Sequence, residues 1–392
     1  MEVPERFANL PDYTLPRLRA LLDSHVPGGE VVNLSIGEPR HAFPEFVGET
    51  ISAHAEEFGR YPPNYGSPEL LAAIAGWIER RFGVALAEDR LMVLNGTREG
   101  LFSASVALCP EEKGGRRPFV LIPNPFYQAY MTGALAAGAD PVFLPATRET
   151  GFLPDLDAID RGVLNRTAAF YICSPANPQG AVASRGYWQA ILALAEEHDF
   201  RIFADECYSE IWRSERPVGA LEAAAETGSD PERLFVFHSL SKRSNLPGLR
   251  SGFVAGGAKG IAEIRRLRSY AGAPLPGPIQ RASALVWGDE EHVEASRLRY
   301  ARKFEMADRI LGGIEGYASP PAGFFLWLPV QDGEDAALRL WRETGVRVLP
   351  GAYLASGGNG ANPGVGYIRV AMVADEPELE RGLEELRVRL RM

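Results

Sequence analysis

Short, unbroken apolar runs alternate with longer helical stretches through most of this 392-residue chain. The runs are Leu91–Leu94, Phe119–Ile122, Val142–Leu144, Ala168–Cys173, Arg201–Ala204, Leu234–Phe237 and Gly252–Ala255. Between them lie stretches of helical pattern, among them Arg98–Leu108, Tyr127–Ala137, Arg185–His198 and Lys259–Tyr270. A strand with one wet face alternates apolar and polar side chains, and these runs do not. Unalternating strands joined by helices predict an α/β fold: a mostly parallel sheet of seven strands, covered by helices on both faces. In such sheets a ligand sits beyond the carboxyl ends of the strands, so the polar residues after each run are where chemistry is expected.

The rest of the chain follows a different pattern. Residues 1–45 mix prolines with a short helical pattern around Leu15–Leu22 and read as an arm plus part of a smaller domain. Helical spacing begins at Pro68 with Leu70, Leu71, Ile74, Trp77 and Ile78. The Gly-Pro stretch Ala271–Pro278 interrupts the alternation. Beyond it come a charged helical stretch (about 289–311), strands near Phe324–Leu328 and Tyr367–Met372, and a last helix, Glu376–Leu390. We expect a large domain over 46–280 and a smaller α+β domain over 281–392, in keeping with the length.

A formal net charge of −10 opposes nucleic-acid binding as the main task. Three cysteines without a C-x-x-C pair suggest neither a disulfide framework nor a zinc site, and the histidines show no ligand spacing, so no metal is expected. No stretch is long and apolar enough to span a membrane, and Met-Glu-Val-Pro-Glu-Arg lacks the signature of a secretory signal. A cytoplasmic location is the expectation.

Arginine serves almost everywhere the chain needs a cation. Lys113, Lys242, Lys259 and Lys303 are the only lysines among 41 Lys+Arg. An arginine stays protonated and cannot act as a nucleophilic amine, whereas lysine can lose its proton and form a Schiff base with an aldehyde. Lys242 follows the apolar run Leu234–Phe237 in a polar, cation-rich loop, which makes it a catalytic candidate. Three other polar segments stand at strand ends: Asn95-Gly-Thr-Arg98, Ser174-Pro-Ala-Asn-Pro-Gln-Gly180 and Ala204-Asp-Glu-Cys-Tyr208. Read singly, Asp205 is as good a strand-end cap, Asn177 a turn residue, Gly96-Thr97 a helix start, and Tyr127 or Tyr61 a packing aromatic. Their order and spacing together carry the functional reading.

In that order, from about residue 30 onward, the segments resemble fold-type I aminotransferases, which use pyridoxal 5′-phosphate (PLP). The resemblance implies that Lys242 holds the cofactor and moves the substrate proton, and that Asp205 keeps the ring nitrogen protonated. Tyr208 and Asn177 would bond the phenolic oxygen and Tyr127 would stack on the ring. Gly96, Thr97, Ser239, Ser241 and Arg250 would bind the phosphate, with Arg98, a departure from the family pattern, either adding a cation there or pointing to solvent. Tyr61 matches a tyrosine that reaches the phosphate of the neighbouring subunit, implying a homodimer. Arg369, with the backbone of Gly37, would grip the substrate α-carboxylate.

Longer stretches, such as Leu34–His41 and His238–Phe253, are most similar to succinyldiaminopimelate transaminases. That resemblance implies N-succinyl-LL-2,6-diaminopimelate as donor and 2-oxoglutarate as acceptor. Both carry a distal carboxylate, for which Arg243, Arg281 and Arg40 are candidate partners by nearness to motifs. Other readings are an aminotransferase of acetylornithine, aspartate or aromatic substrates, a PLP-dependent lyase, and, remotely, a serine acyl-enzyme in which Ser239-Leu-Ser-Lys242 is an S-x-x-K motif.

Overall fold

The computed structural model describes residues 5–8, 10–358 and 360–390. Strands are numbered along the chain. Two short pieces, β1 (Val32–Asn33) and, much later, β10 (Val346–Arg347), pair with each other in parallel. The main sheet contains β2 (Leu91–Leu94), β3 (Phe119–Asn124), β4 (Asp140–Pro145), β5 (Thr167–Cys173), β6 (Arg201–Asp205), β7 (Leu234–Ser239) and β8 (Gly252–Ala255). Its order is β2-β8-β7-β6-β5-β3-β4. A second sheet joins β9 (Phe325–Pro329), β11 (Leu349–Pro350) and β12 (Tyr367–Ala371) in antiparallel order β11-β12-β9.

Both faces of the main sheet are buried, as the lack of alternation predicts. Phe170, Ile172, Leu234 and Val236 face helices Pro68–Phe82, Arg185–Glu197, Ala220–Thr227 and Gly277–Gly288. Their neighbours Ala169, Tyr171, Phe235 and Phe237 face helices Thr97–Leu108, Gln128–Ala136 and Ala258–Ala271 on the other side. Each fully buried phenylalanine in these layers contributes roughly 1.5–3 kcal/mol. Helix ends are marked in sequence: Ser67 Oγ accepts from Leu70 N at 3.2 Å, Pro68 opens the helix, and Gly83, at φ 70°, ends it.

β8 departs from the parallel expectation, running antiparallel to both β7 and β2. The connection Leu240–Ser251 holds only a one-turn helix, Leu240–Arg243, and a short turn, too little to carry the chain back across the sheet. The chain therefore returns from the edge at which β7 ended. Helix Gly277–Gly288, opened by Pro278, was not read from the sequence, where a loop was expected up to that proline.

The N-terminal segment is tied to the C-terminal third. Val32 and Leu34 share a core with Phe304, Phe325, Leu340, Ile368 and Leu383. Helices Glu291–Leu311, Gly333–Thr344 and Glu376–Leu390 pack around that core.

Candidate active site

The sheet register brings the motifs to one edge. Cys173, at the end of β5, pairs with Asp205, at the end of β6, which pairs with Phe237 near the end of β7. Because β8 is reversed, Gly252 at its start lies opposite both Ser239 and Leu94. The loop Asn95–Thr97 after β2, Ser239–Lys242 after β7 and Arg250 before β8 thus meet at the same place. Of these, Thr97, Ser239, Ser241, Lys242 and Arg250 line, with Tyr13, Gly37, Glu38, Arg98, Tyr127, Asn177, Asp205, Tyr208 and Arg369, a cavity of about 320 Å³, within the usual range for small-molecule sites, and Gly96 lies behind Arg250 at its margin.

Asp205, Arg250 and Arg369 make no ion pair among the described residues. Asp205 is 5% exposed; its Oδ2 accepts from Tyr130 Oη at 2.7 Å and its Oδ1 from Cys207 N at 3.3 Å. Burial pushes its carboxyl pKa up, against the pull of those neutral donors. Arg369, 7% exposed, donates to Asn177 Oδ1 at 3.0 Å and to Ser35 O at 2.9 Å, while its Nε has no partner. Burial lowers its pKa to about 10. Lys242 Nζ donates to Gly37 O, and burial brings its pKa down from 10.5 to about 8. Arg250 reaches only carbonyls, Pro247 O at 2.9 Å and Asn95 O at 3.3 Å. Gly96 sits at φ 78°, and a Cβ there would run into the Arg250 guanidinium, so a side chain at 96 would close this corner. Ser239 Oγ donates to Ser241 Oγ at 2.9 Å, and Thr97 Oγ1 lies 3.0 Å from Cys207 Sγ.

Most of the residues singled out in the sequence therefore surround one cavity. Tyr61 is outside it and fully exposed (100%). Arg98 does not point to solvent alone: its Nε donates to Tyr127 Oη at 2.5 Å and its NH2 to Tyr13 Oη at 3.1 Å. None of the three arginines considered for a distal carboxylate lines the cavity. Arg243 pairs with Glu290 at 2.8 Å, Arg281 with Glu57 at 3.1 Å and Arg40 with Glu378 at 2.9 Å. Nearness in sequence misleads here, since consecutive residues of a helical turn, Lys242 and Arg243, project in different directions.

Tyr130 was not predicted, although it lies one turn after Tyr127 and shares its helix face. Its ring stacks on Tyr171 with centroids 4.5 Å apart, which fixes the hydroxyl that orients Asp205. Tyr13 was also missed, because its contact spans a separation in sequence that no local pattern reveals. The serine acyl-enzyme reading has no support in the geometry, as Ser239 Oγ bonds Ser241 and Ser251 while Lys242 bonds Gly37.

A buried carboxylate without a cation, Asp205, and a buried guanidinium without an anion, Arg369, are costly unless a ligand supplies the missing charges. PLP and an amino acid fit: a cationic ring nitrogen for Asp205, a phosphate for Arg250 and a carboxylate for Arg369. This is the arrangement of a PLP-dependent transferase of the α/β class.

Residues 29–386 match the family model for aminotransferase class I and II, and the chain belongs to that family. It is 33% identical to an LL-diaminopimelate aminotransferase of Dehalococcoides mccartyi, with 98% of each chain covered. The structure of an aminotransferase from Neisseria meningitidis superposes with a TM-score of 0.94 at 37% identity, covering 99% of this chain and 100% of that one. Aminotransferase AspB from Helicobacter pylori gives 0.90 at 34%, covering 98% and 99%. The protein is a PLP-dependent aminotransferase acting on amino acids and 2-oxo acids.

Proposed function

We propose that the protein moves an amino group between LL-2,6-diaminopimelate and 2-oxoglutarate, with Lys242 as the amine that carries the cofactor and handles the proton at the substrate Cα. The observation that carries the chemistry is the placement of Lys242, Asp205 and Arg369 around one cavity. When bound, PLP supplies an electron sink for the charge left on the deprotonated Cα. Asp205, held by Tyr130 and Cys207, keeps a negative charge where the cofactor ring nitrogen requires it. Ser239, Ser241, Arg250 and the N–H groups opening helix Thr97–Leu108 would hold the cofactor phosphate. Tyr127 would stack on the cofactor ring, and Asn177 and Tyr208 would hold its phenolic oxygen. Arg369 fixes the α-carboxylate, and with it the direction of the bond to the proton that Lys242 removes. Burial lowers the Lys242 pKa from 10.5 to about 8, which makes the free base that proton removal requires far easier to reach.

The donor assignment rests on the relatives, which are named LL-diaminopimelate aminotransferases, and not on the succinylated substrate expected from the sequence. Arg98 is the remaining cation lining the cavity after Lys242, Arg250 and Arg369, and its partners are neutral phenols, so it takes the distal carboxylate. The exposed Tyr61 completes the phosphate site of a second copy in a homodimer. A panel of LL-diaminopimelate, its N-succinyl form, acetylornithine and aspartate against 2-oxoglutarate tests the donor. The highest kcat/KM belongs to LL-diaminopimelate; a preference for the succinylated form restores the first expectation and overturns this one.

A further inference from the structure

Three of the four lysines have an evident setting. Lys113 donates to Thr167 O at 2.5 Å, His198 O at 2.6 Å and Asp199 O at 2.8 Å, which uses every proton of its ammonium. Lys259 is exposed, and Lys242 lines the active site. Lys303 fits none of these patterns. It is 1% exposed, and its Nζ has one partner, His41 Nε2 at 2.7 Å, with no ion pair among the described residues. A buried ammonium with two protons unassigned is costly in a chain that otherwise avoids lysine.

Lys303 lines a cavity of about 310 Å³ with His41, Arg40, Arg299 and Arg302. The cavity shares no lining residue with the active site. Arg299, Arg302 and Lys303 lie three and four residues apart on helix Glu291–Leu311 and so share one face. Two carboxylates also line it, Asp375 and Glu376. Glu376 is taken by Arg302 at 3.2 Å, and Arg40 pairs with Glu378 at 2.9 Å, outside the lining. Arg299 makes no ion pair among the described residues. With Arg40 matched by Glu378, the three remaining cations face two carboxylates and leave an excess of one positive charge. Burial, with help from Lys303 and Arg299, lowers the His41 pKa to about 4, so its ring adds no charge at neutral pH. With Nε2 accepting from Lys303, its proton sits on Nδ1, a second buried donor without a partner.

We propose that this cavity binds a small oxyanion of the phosphate class, held by Lys303 and Arg299 with Arg302 and Arg40 beside it. A compact oxyanion answers the excess charge, and its several acceptor oxygens match the unassigned donors. Burial also lowers the Lys303 pKa to about 8, a cost that an anion in contact relieves.

The test is calorimetric titration of the PLP-loaded enzyme, whose own cofactor phosphate fills the active-site anion position. Inorganic phosphate and glycerol 3-phosphate are titrated in chloride buffer into the wild type, Lys303→Met, Arg299→Gln and Arg369→Gln. Lys303→Met keeps the apolar stem, and Arg299→Gln changes a half-buried side chain, so both leave the fold intact. The wild type should show one saturable site, weakened roughly tenfold or more in each of the first two variants. Arg369→Gln, which alters only the active site, should leave that binding unchanged. Tighter binding of glycerol 3-phosphate identifies a phosphate ester as the occupant, and tighter binding of phosphate identifies the free ion. Absence of saturable binding at millimolar phosphate, or binding kept in both pocket variants, overturns the proposal.

Discussion

Replacing Lys242 by methionine in the cofactor-free protein isolates the physical state of that amine. A lysine whose pKa falls from 10.5 to about 8 carries a penalty of about 3 kcal/mol when protonated in the fold, at about 1.36 kcal/mol per tenfold. Its folded pKa lies below its unfolded one, so between the two the unfolded chain binds more protons. Wild-type stability therefore rises with pH across that window, and the variant lacks this contribution. Lys303 is shifted in the same direction, but it is present in both proteins and cancels in the difference. Urea unfolding of both proteins at about pH 7.5 and about pH 9.5 gives the readout. Methionine fills the stem's space without charge, and its packing does not depend on pH. The stability gap should move in favour of the wild type by about 2 kcal/mol between the two conditions. A gap that stays constant, or moves the other way, refutes the claim that Lys242 is desolvated enough to act as a base.

Asp205→Ala should still bind PLP, detected by absorbance, yet lose on the order of several powers of ten in kcat; a near-normal kcat would reject its role behind the ring. Arg369→Lys should lower kcat/KM by roughly tenfold or more, because an ammonium cannot reproduce the planar fork, and unchanged steady-state constants would remove it from substrate binding. Tyr130→Phe removes one buried hydrogen bond to Asp205, worth about 1–2 kcal/mol, so kcat should fall roughly five- to thirtyfold with PLP affinity nearly unchanged. An unaltered kcat would show that Asp205 is oriented without it.

The layered fold was legible because the strands of the main sheet, apart from the edge strand β4, are buried on both faces, a pattern that one-sided sheets do not produce. What the pattern could not carry was strand direction. The reversal of β8 follows from the length and content of its connection, and it is this reversal that brings Arg250 to the edge shared by Asn95 and Ser239. The site's charged members were readable because each stands in a short polar segment at a strand end. Tyr13 and Tyr130 were not, since one depends on how the N-terminal segment lies over the cavity and the other looks like any core tyrosine. Arg40 and Arg243 show the opposite error: close in sequence to site residues, they are held elsewhere by Glu378 and Glu290.

Borohydride reduction of the PLP-loaded enzyme, followed by peptide mapping, asks which amine carries the cofactor. With only four lysines in the chain, the answer is unambiguous. The label should lie on the peptide that contains Lys242; label on Lys113, Lys259 or Lys303, or on no lysine at all, would contradict the account.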